Sequence, residues 1–355
     1  MSRITQTDSC ASPCSRLTNV DGGAYVGHAV PEWSFGDYVG AIGVRLGIRR
    51  KRYVVTPGLY TFGSPGPDSP VFVSANYKLS FDHLRRSLAA TNAWMVVLDT
   101  KGINVWCAAG KGTFGTDELV RKIRECHLHD CVTHRRLILP QLGASGVAAH
   151  EIKKQTGFAV VYGPVYTEDI AAFVEADLQA TPDMRRVRFR WFERLTVAWL
   201  ELVIHFKKML LSGLALAALS GVSAEGPFWS TAWNRGGIVF LLWVASYGLA
   251  GTLGPLLLPW LPTRAFSFKG AWMGAALAAL GVWVAGPDWS VLRSMAWILL
   301  VSAGASHMLL NFTGATTFTS PSGVRREVRA ALPAQIAVAA IGLMVWTAAG
   351  FFPAW

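Results

Sequence analysis

A chain of 355 residues allows about one to three domains; this one is 52 % hydrophobic and carries a formal net charge of +11. The positive excess lies beside apolar segments and is not grouped into a nucleic-acid patch. Five cysteines, an odd number, exclude a complete disulfide framework, and none of their spacings suits an iron–sulfur cluster, which needs four thiolates in a recognisable run.

The composition divides the chain. Residues 195–355 hold nine Lys and Arg and four Asp and Glu, against 24 and 18 in residues 1–194. The first part reads as a soluble domain with reduced thiols, the second as membrane. Residues 1–30 are rich in Ser, Thr and Gly, without helical or strand period and without the apolar core of a signal peptide, so a flexible leader is expected. Its Cys10 and Cys14 are two thiols, too few for a metal site. Between 31 and 75, Arg45 to Arg52 holds five basic residues, a solvated face or one that meets lipid head groups. Tyr53-Val54-Val55 and Phe72–Asn76 read as strands on either side of the turn-rich Gly63–Pro67 loop.

From Phe81 helices and strands alternate: helix 81–90, strand 94–99, helix 117–125, strand 137–139, helix 147–155, strand 158–162 and helix 168–175. This order predicts a parallel, doubly wound, Rossmann-like α/β domain over 31–181. Ligands of such sheets bind beyond the carboxyl ends of the strands. Here those ends are Thr100–Gly102, Pro140–Gly146 and Gly163–Pro164, whose small residues let the backbone approach a large flat partner.

The first of these loops leads into Asn104-Val105-Trp106-Cys107-Ala108-Ala109-Gly110-Lys111. A single cysteine after a strand is more often structural than reactive. The whole string, however, resembles the signature of the mercury-methylating corrinoid proteins, membrane-anchored relatives of the large subunit of the corrinoid iron–sulfur protein. The similarity continues through residues 112–115, 136–142, 146–150 and 162–164 and into the apolar tail. The resemblance implies a cobalamin whose cobalt is bound on its lower face by Cys107, the expected catalytic and metal-binding residue. Asn104, Val105 and Trp106 would hold the cysteine turn. Ala108, Ala109 and Gly110 would leave the sulfur side open to the corrin, Lys111 would favour the thiolate, and Thr100, Gly102 and Gly143 would line the cavity. Thr116 is expected to cap the next helix, with Asp117 and Glu118 in its first turn.

Cys126-His127-Leu128-His129-Asp130-Cys131, with His134 beyond, supplies ligand types that suit zinc. The segment sits at a helix end and loop, where solvated polar residues and half-buried thiols account for it. Residues 182–196 interleave arginines with Phe189, Trp191 and Phe192, a basic amphipathic linker for a membrane surface. Five membrane spans follow, near 197–222, 236–258, 270–287, 291–312 and 332–352, each close to the about twenty residues needed to cross. Arg264, Lys269, Arg325, Arg326 and Arg329 in alternate loops place the soluble domain in the cytoplasm and Trp355 outside the cytoplasmic membrane. Glu201, His205, His307 and Asn311 are polar residues within spans, lining a path or bonding between helices.

The expected function is transfer of a methyl group from a corrinoid to Hg(II), giving methylmercury. The Asp-x-His-x-x-Gly motif of many cobalamin proteins is absent. A thiolate donates more electron density than an imidazole, and so favours departure of methyl as a carbanion equivalent, which soft Hg(II) accepts. The cycle then needs a methyl donor system and low-potential electrons. The chain has no cluster motif and no flavin or nicotinamide fingerprint such as Gly-x-Gly-x-x-Gly after a strand; the resemblance implies a ferredoxin-like partner carrying two four-iron clusters. Two other readings stand beside this one. One is a membrane-anchored corrinoid methyl carrier for another acceptor, as in acetyl-CoA synthesis. The other is a transporter or sensor whose soluble domain binds something unrelated.

Overall fold

The two most apolar runs of the first half, Val71–Ala75 and Ala93–Leu98, are strands in which every residue is buried. In the computed structural model, which describes residues 26–352 apart from 225, 287–288 and 316–320, they form the centre of a six-stranded sheet. The leader to residue 25 with Cys10 and Cys14, the Pro287-Asp288 turn, part of the 313–331 loop and Trp355 lie outside the described residues. The chain divides into two units, Met1–Val187 and Arg188–Trp355.

The strands of the first unit are β1 Val26–His28, β2 Gly58–Phe62, β3 Val71–Ala75, β4 Ala93–Leu98, β5 Arg136–Leu139 and β6 Ala159–Tyr162, in the order β1-β2-β4-β3-β5-β6. β4, β3, β5 and β6 run parallel, as the alternation with helices predicts. β2 is antiparallel to β4, and β1 pairs with it in parallel; this edge is a departure from the expected all-parallel sheet. Tyr53-Val54-Val55 contributes only an isolated bridge from Val54 to Tyr77.

The unit's helices are α1 Phe35–Arg45, α2 Lys78–Ser87, α3 Val105–Lys111, α4 Thr116–Glu125, α5 Leu128–Cys131, α6 Ala149–Thr156 and α7 Ile170–Glu175. Successive residues of a strand face opposite sides, so the sheet carries two cores. Val71, Val73, Trp94 and Val96 meet Ala108, Leu119, Ile123 and Ile152 from α3, α4 and α6. Phe72, Met95 and Val97 meet Phe81 and Leu84 of α2 and Ile170 and Phe173 of α7. Strands covered on both faces need continuous apolar runs rather than alternation.

Helix α1 has no counterpart in the sequence reading. Gly36, Gly40 and Gly43 obscure its period, but Ser34 and Asp37 form a capping box. Asp37 and Asp82 are buried together with Arg85, and Lys78 joins them. Lys78 Nζ lies 2.5 Å from Asp37 and 2.7 Å from Asp82; Arg85 lies 2.7 Å and 2.8 Å from the same pair. Two carboxylates against two cations compensate one another's desolvation. Burial alone would raise the Asp37 carboxyl, but hydrogen bonds from Lys78 and Ser34 hold it well below the usual carboxylate range. Helix α4 is capped at Gly115 rather than Thr116. The Thr116 hydroxyl instead accepts the Ala148 N–H at 2.9 Å, tying α4 to the start of α6.

The second unit contains five helices long and apolar enough to cross a membrane: α8 Trp191–Leu219, α9 Phe228–Leu256, α10 Phe266–Ala285, α11 Val291–Phe312 and α12 Pro321–Ala348. All but α11 begin earlier than expected. α8 absorbs the end of the basic linker, and α12 carries Arg325, Arg326 and Arg329 in its first turns instead of in a loop. α10 and α11 approach through small residues, since a Cβ on Gly270 or Gly274 would stand 2.6 Å from the Cα of Ser306 or Ser302. Such close contact is how helices pack where the solvent is itself apolar. His205 of α8 lies 3.4 Å from the Glu201 carboxylate and 3.4 Å from the Asn311 amide of α11, a polar contact between helices.

Candidate functional site

The loop that follows β4 is held from the end of β3. Asn76 is buried, and its side-chain oxygen accepts the N–H of Thr100 at 3.1 Å and of Gly102 at 3.0 Å, with the Thr100 hydroxyl at 2.9 Å. The Asn76 amide donates to Asp99 at 3.2 Å. Glu118 of α4 accepts the Asp99 N–H at 2.8 Å. The turn needs this support because Lys101 and Gly102 both have positive φ, 59° and 69°. Thr100 and Gly102 are thus buried in the loop's own hydrogen bonds. Asn76 carries the geometry that sequence reasoning gave to them; its signal is a polar residue ending an otherwise apolar strand.

The loop delivers Asn104, which caps α3: its side-chain oxygen accepts the Cys107 N–H at 2.9 Å. The motif is therefore a two-turn helix, closed by Gly112 at φ 79°. Cys107, Gly110 and Lys111 are exposed at helical spacing on one face, and a Cβ on Gly110 would meet nothing within 4 Å. Ala108 and Ala109 are buried on the other face. A Cβ on Gly146 would lie 2.9 Å from the Ala109 Cα, and one on Gly143 would lie 2.6 Å from the Phe114 ring. The alanines and Gly146 therefore let α3 nest against the β5–α6 loop, and Gly143 leaves room for the Phe114 ring. The open side of the sulfur comes from its exposed position and from Gly110.

Beside α3 a cleft of about 380 Å³ opens beyond the carboxyl ends of β3, β5 and β6. Ser74 and Leu139 line it from β3 and β5, Gly163 from just beyond β6, and Asn104, Val105 and Trp106 from the motif. Its other wall comes from α2 and from the residues around α7. Cys107 stands next to this lining rather than within it. Two of the three predicted loops, 140–146 and 163–164, contribute to the wall through Pro140, Leu142, Gly163 and Pro164; the third, 100–102, positions the helix.

The cysteine–histidine segment is occupied structurally. The His129 ring nitrogen lies 2.7 Å from the Thr156 carbonyl, and its ring meets Phe158; His134 lies 2.8 Å from the Ser69 carbonyl. Cys126 is a buried free thiol, pushed up to about 11 by burial, and Cys131 is buried with its sulfur 3.8 Å from the His127 carbonyl. Among the described residues no three His, Cys, Asp or Glu side chains converge as a metal site. A bare metal ion takes three or four protein donors. A metal already held by a macrocycle asks the protein for an axial donor, and the free, exposed Cys107 has the chemistry for that.

Fold and site together define an α/β domain with a cleft beyond its parallel strands and an exposed cysteine at the rim, followed in sequence by five apolar helices. Residues 49–174 match the family described as CO dehydrogenase/acetyl-CoA synthase delta subunit. The chain is 32 % identical over 123 residues to the acetyl-CoA decarbonylase/synthase complex subunit gamma of Archaeoglobus fulgidus, covering 34 % of this chain and 26 % of that one. To the same subunit of Methanocaldococcus jannaschii it is 32 % identical over 127 residues, 35 % of this chain and 26 % of the relative. For Methanopyrus kandleri the figures are 30 % over 130 residues, 36 % and 28 %. The chain thus spans about a quarter of the length of these relatives. The family match is narrower than the resemblance traced into the tail: it contains α3 and the cleft, and α8 to α12 lie beyond it.

Proposed function

We propose that this chain is a membrane-anchored corrinoid protein that carries a methyl group, and that Cys107 and the exposed face of α3 would hold the cofactor, with the thiolate as donor to its cobalt. The observation that carries this reading is Cys107 itself, a free exposed thiol fixed by Asn104 beside the cleft. The matches support a relation to the large subunit of a corrinoid protein over residues 49–174. The named relatives are subunits of acetyl-CoA decarbonylase/synthase, so an acceptor of the acetyl-CoA pathway type is the first reading.

When bound, the corrinoid supplies a cobalt centre that holds and releases the methyl group. The chain's own residues do the positioning. Asn76, with Thr100 and Gly102, sets the loop; Asn104 sets Cys107; Ala108, Ala109 and Gly146 seat α3 on its neighbours. Gly110 keeps the outer face free for a flat ring, with Lys111 beside it. Val105, Trp106, Leu139 and Gly163 form a largely apolar wall that excludes water next to the ring.

A second reading of the acceptor keeps the same site and makes Hg(II) the substrate. The sulfur donor supports it: a Cys107 thiolate would give the cofactor more electron density than an imidazole, which suits a soft cation as acceptor. That route needs a methyl donor and a ferredoxin-like reductant with two four-iron clusters. In either case the arginines at the start of α12, with Arg264 and Lys269, favour a cytoplasmic first unit and an outer C-terminus.

The test is to purify the full chain, measure its corrinoid, load it with labelled methyl and offer two acceptors. Label passing to an acetyl-CoA decarbonylase/synthase complex stripped of its own gamma subunit supports the first reading. Labelled methylmercury supports the second. A chain that takes up no corrinoid contradicts both.

A further inference from the structure

Helix α1 is built the opposite way round from an ordinary surface helix. Its inner face carries Asp37, Ala41 and Val44, with Asp37 held in the ion cluster of Lys78, Asp82 and Arg85. Its outer face carries Phe35, Tyr38, Val39, Ile42 and Leu46, all exposed, Phe35 at 85 % and Ile42 at 58 %. The spacing i, i+3, i+4, i+7, i+11 puts them in one stripe. Single exposed apolar residues are ordinary, but a contiguous stripe marks a binding surface. Arg45, its last residue, opens a basic run that continues with Arg49, Arg50, Lys51 and Arg52, with Ile48 exposed among them. Trp33 stacks beside Tyr38, ring centroids 5.1 Å apart, adding the aromatic type that favours a lipid–water boundary.

We propose that α1 and the basic run after it form an interfacial anchor that seats the first unit on a membrane surface containing anionic lipid. The stripe would enter the boundary between head groups and acyl chains, and the basic run would meet lipid phosphates. Charge selects this occupant. A second copy of α1 would bring two runs of five cations together, whereas an anionic leaflet complements them. The chain's own apolar helices keep a bilayer within reach, so the inference rests on their crossing a membrane and is independent of the cofactor. The anchor is also coupled to the cleft. Arg85 and Lys78 lock α1 to α2, and Ser80, His83 and Leu84 of α2 line the cleft wall.

The test is hydroxyl-radical footprinting of the full chain in vesicles of phosphatidylcholine, with and without phosphatidylglycerol. Oxidation of Phe35, Tyr38, Ile42 and Leu46 should fall several-fold when phosphatidylglycerol is present. Arg49→Glu combined with Arg50→Glu should restore it, while buried Phe158 stays unreactive throughout and so reports an intact fold. Equal oxidation in the two vesicles contradicts the anchor. So does protection that ignores lipid charge and disappears on dilution into excess lipid, the pattern of a second copy. Release of the full chain from vesicles by alkaline carbonate would instead overturn the membrane reading on which the inference rests.

Discussion

The side-chain oxygen of Asn104 accepts the backbone N–H of Cys107 at 2.9 Å, so the first residue of the motif fixes its central one. An N-cap of this kind contributes about 1 kcal/mol. Asn104→Ala should lower stability by about that amount and reduce the corrinoid retained per chain. Asn104→Ser and Asn104→Asp, which keep an acceptor in place, should retain most of it. Thermal melting and absorbance of the purified variants check this; undiminished corrinoid in Asn104→Ala would show that the cap does not position the ligand.

Asn76 acts one step further back. Its oxygen takes the Thr100 and Gly102 N–H groups, and its replacement by alanine leaves the buried Gly102 N–H without that acceptor, while the Thr100 N–H keeps the Leu98 carbonyl at 3.1 Å. The expected cost is about 1–3 kcal/mol, concentrated in the loop. Hydrogen exchange should accelerate at Thr100 and Gly102 while amides in β3 and β4 keep their protection. Uniform acceleration across the sheet would instead mark Asn76 as a general core residue.

The two free cysteines among the described residues should differ sharply in reactivity. Cys107 is exposed, whereas Cys126 is buried and its thiol is pushed up to about 11 by that burial. A maleimide at neutral pH should modify Cys107 and spare Cys126 until the chain is denatured. Loading with corrinoid should protect Cys107. Mass spectrometry of the labelled peptides reads both outcomes, and equal labelling of Cys107 with and without bound corrinoid would contradict its role as a ligand.

Asp37 predicts an acid-sensitive α1. Its carboxyl ionises at lower pH in the folded chain than in the unfolded one. Its contribution is therefore fully present above the unfolded value of about 4 and lost as pH falls through the folded value. Asp37→Asn leaves Lys78 and Arg85 to share Asp82, at a cost of about 3–5 kcal/mol for a broken buried pair. Thermal melts across acid pH should show the variant less stable at neutral pH and less dependent on pH in the acid range.

Much of this architecture is readable from periodicity. The runs 94–99, 137–139 and 158–162 became β4, β5 and β6 within about a residue at each end, because strands covered on both faces must be continuously apolar. The five apolar helices follow from length and hydropathy in the same way. β2 was hidden because Gly58-Leu59-Tyr60-Thr61-Phe62 is short and opens on glycine, and α1 because three glycines interrupt it and its outward face is the apolar one. At the site, Cys107 and Asn104 stand out in the string itself. Asn76 does not, since its partners lie 24 and 26 residues away and only the pairing of β3 with β4 brings them together. Ala108 and Ala109 illustrate the reverse. Small residues beside a cysteine suggest an open approach, yet the helix turns them toward Gly146 and the core.

The most direct measurement is corrinoid binding and methyl transfer in Cys107→Ala beside the unaltered chain. Cys107 is exposed, so the substitution removes no core contact and the fold should persist, with circular dichroism unchanged. The variant's corrinoid should show the absorption spectrum of a cofactor without a sulfur ligand, and methyl transfer to any acceptor should be abolished. An unaltered spectrum together with full transfer activity in Cys107→Ala would contradict it.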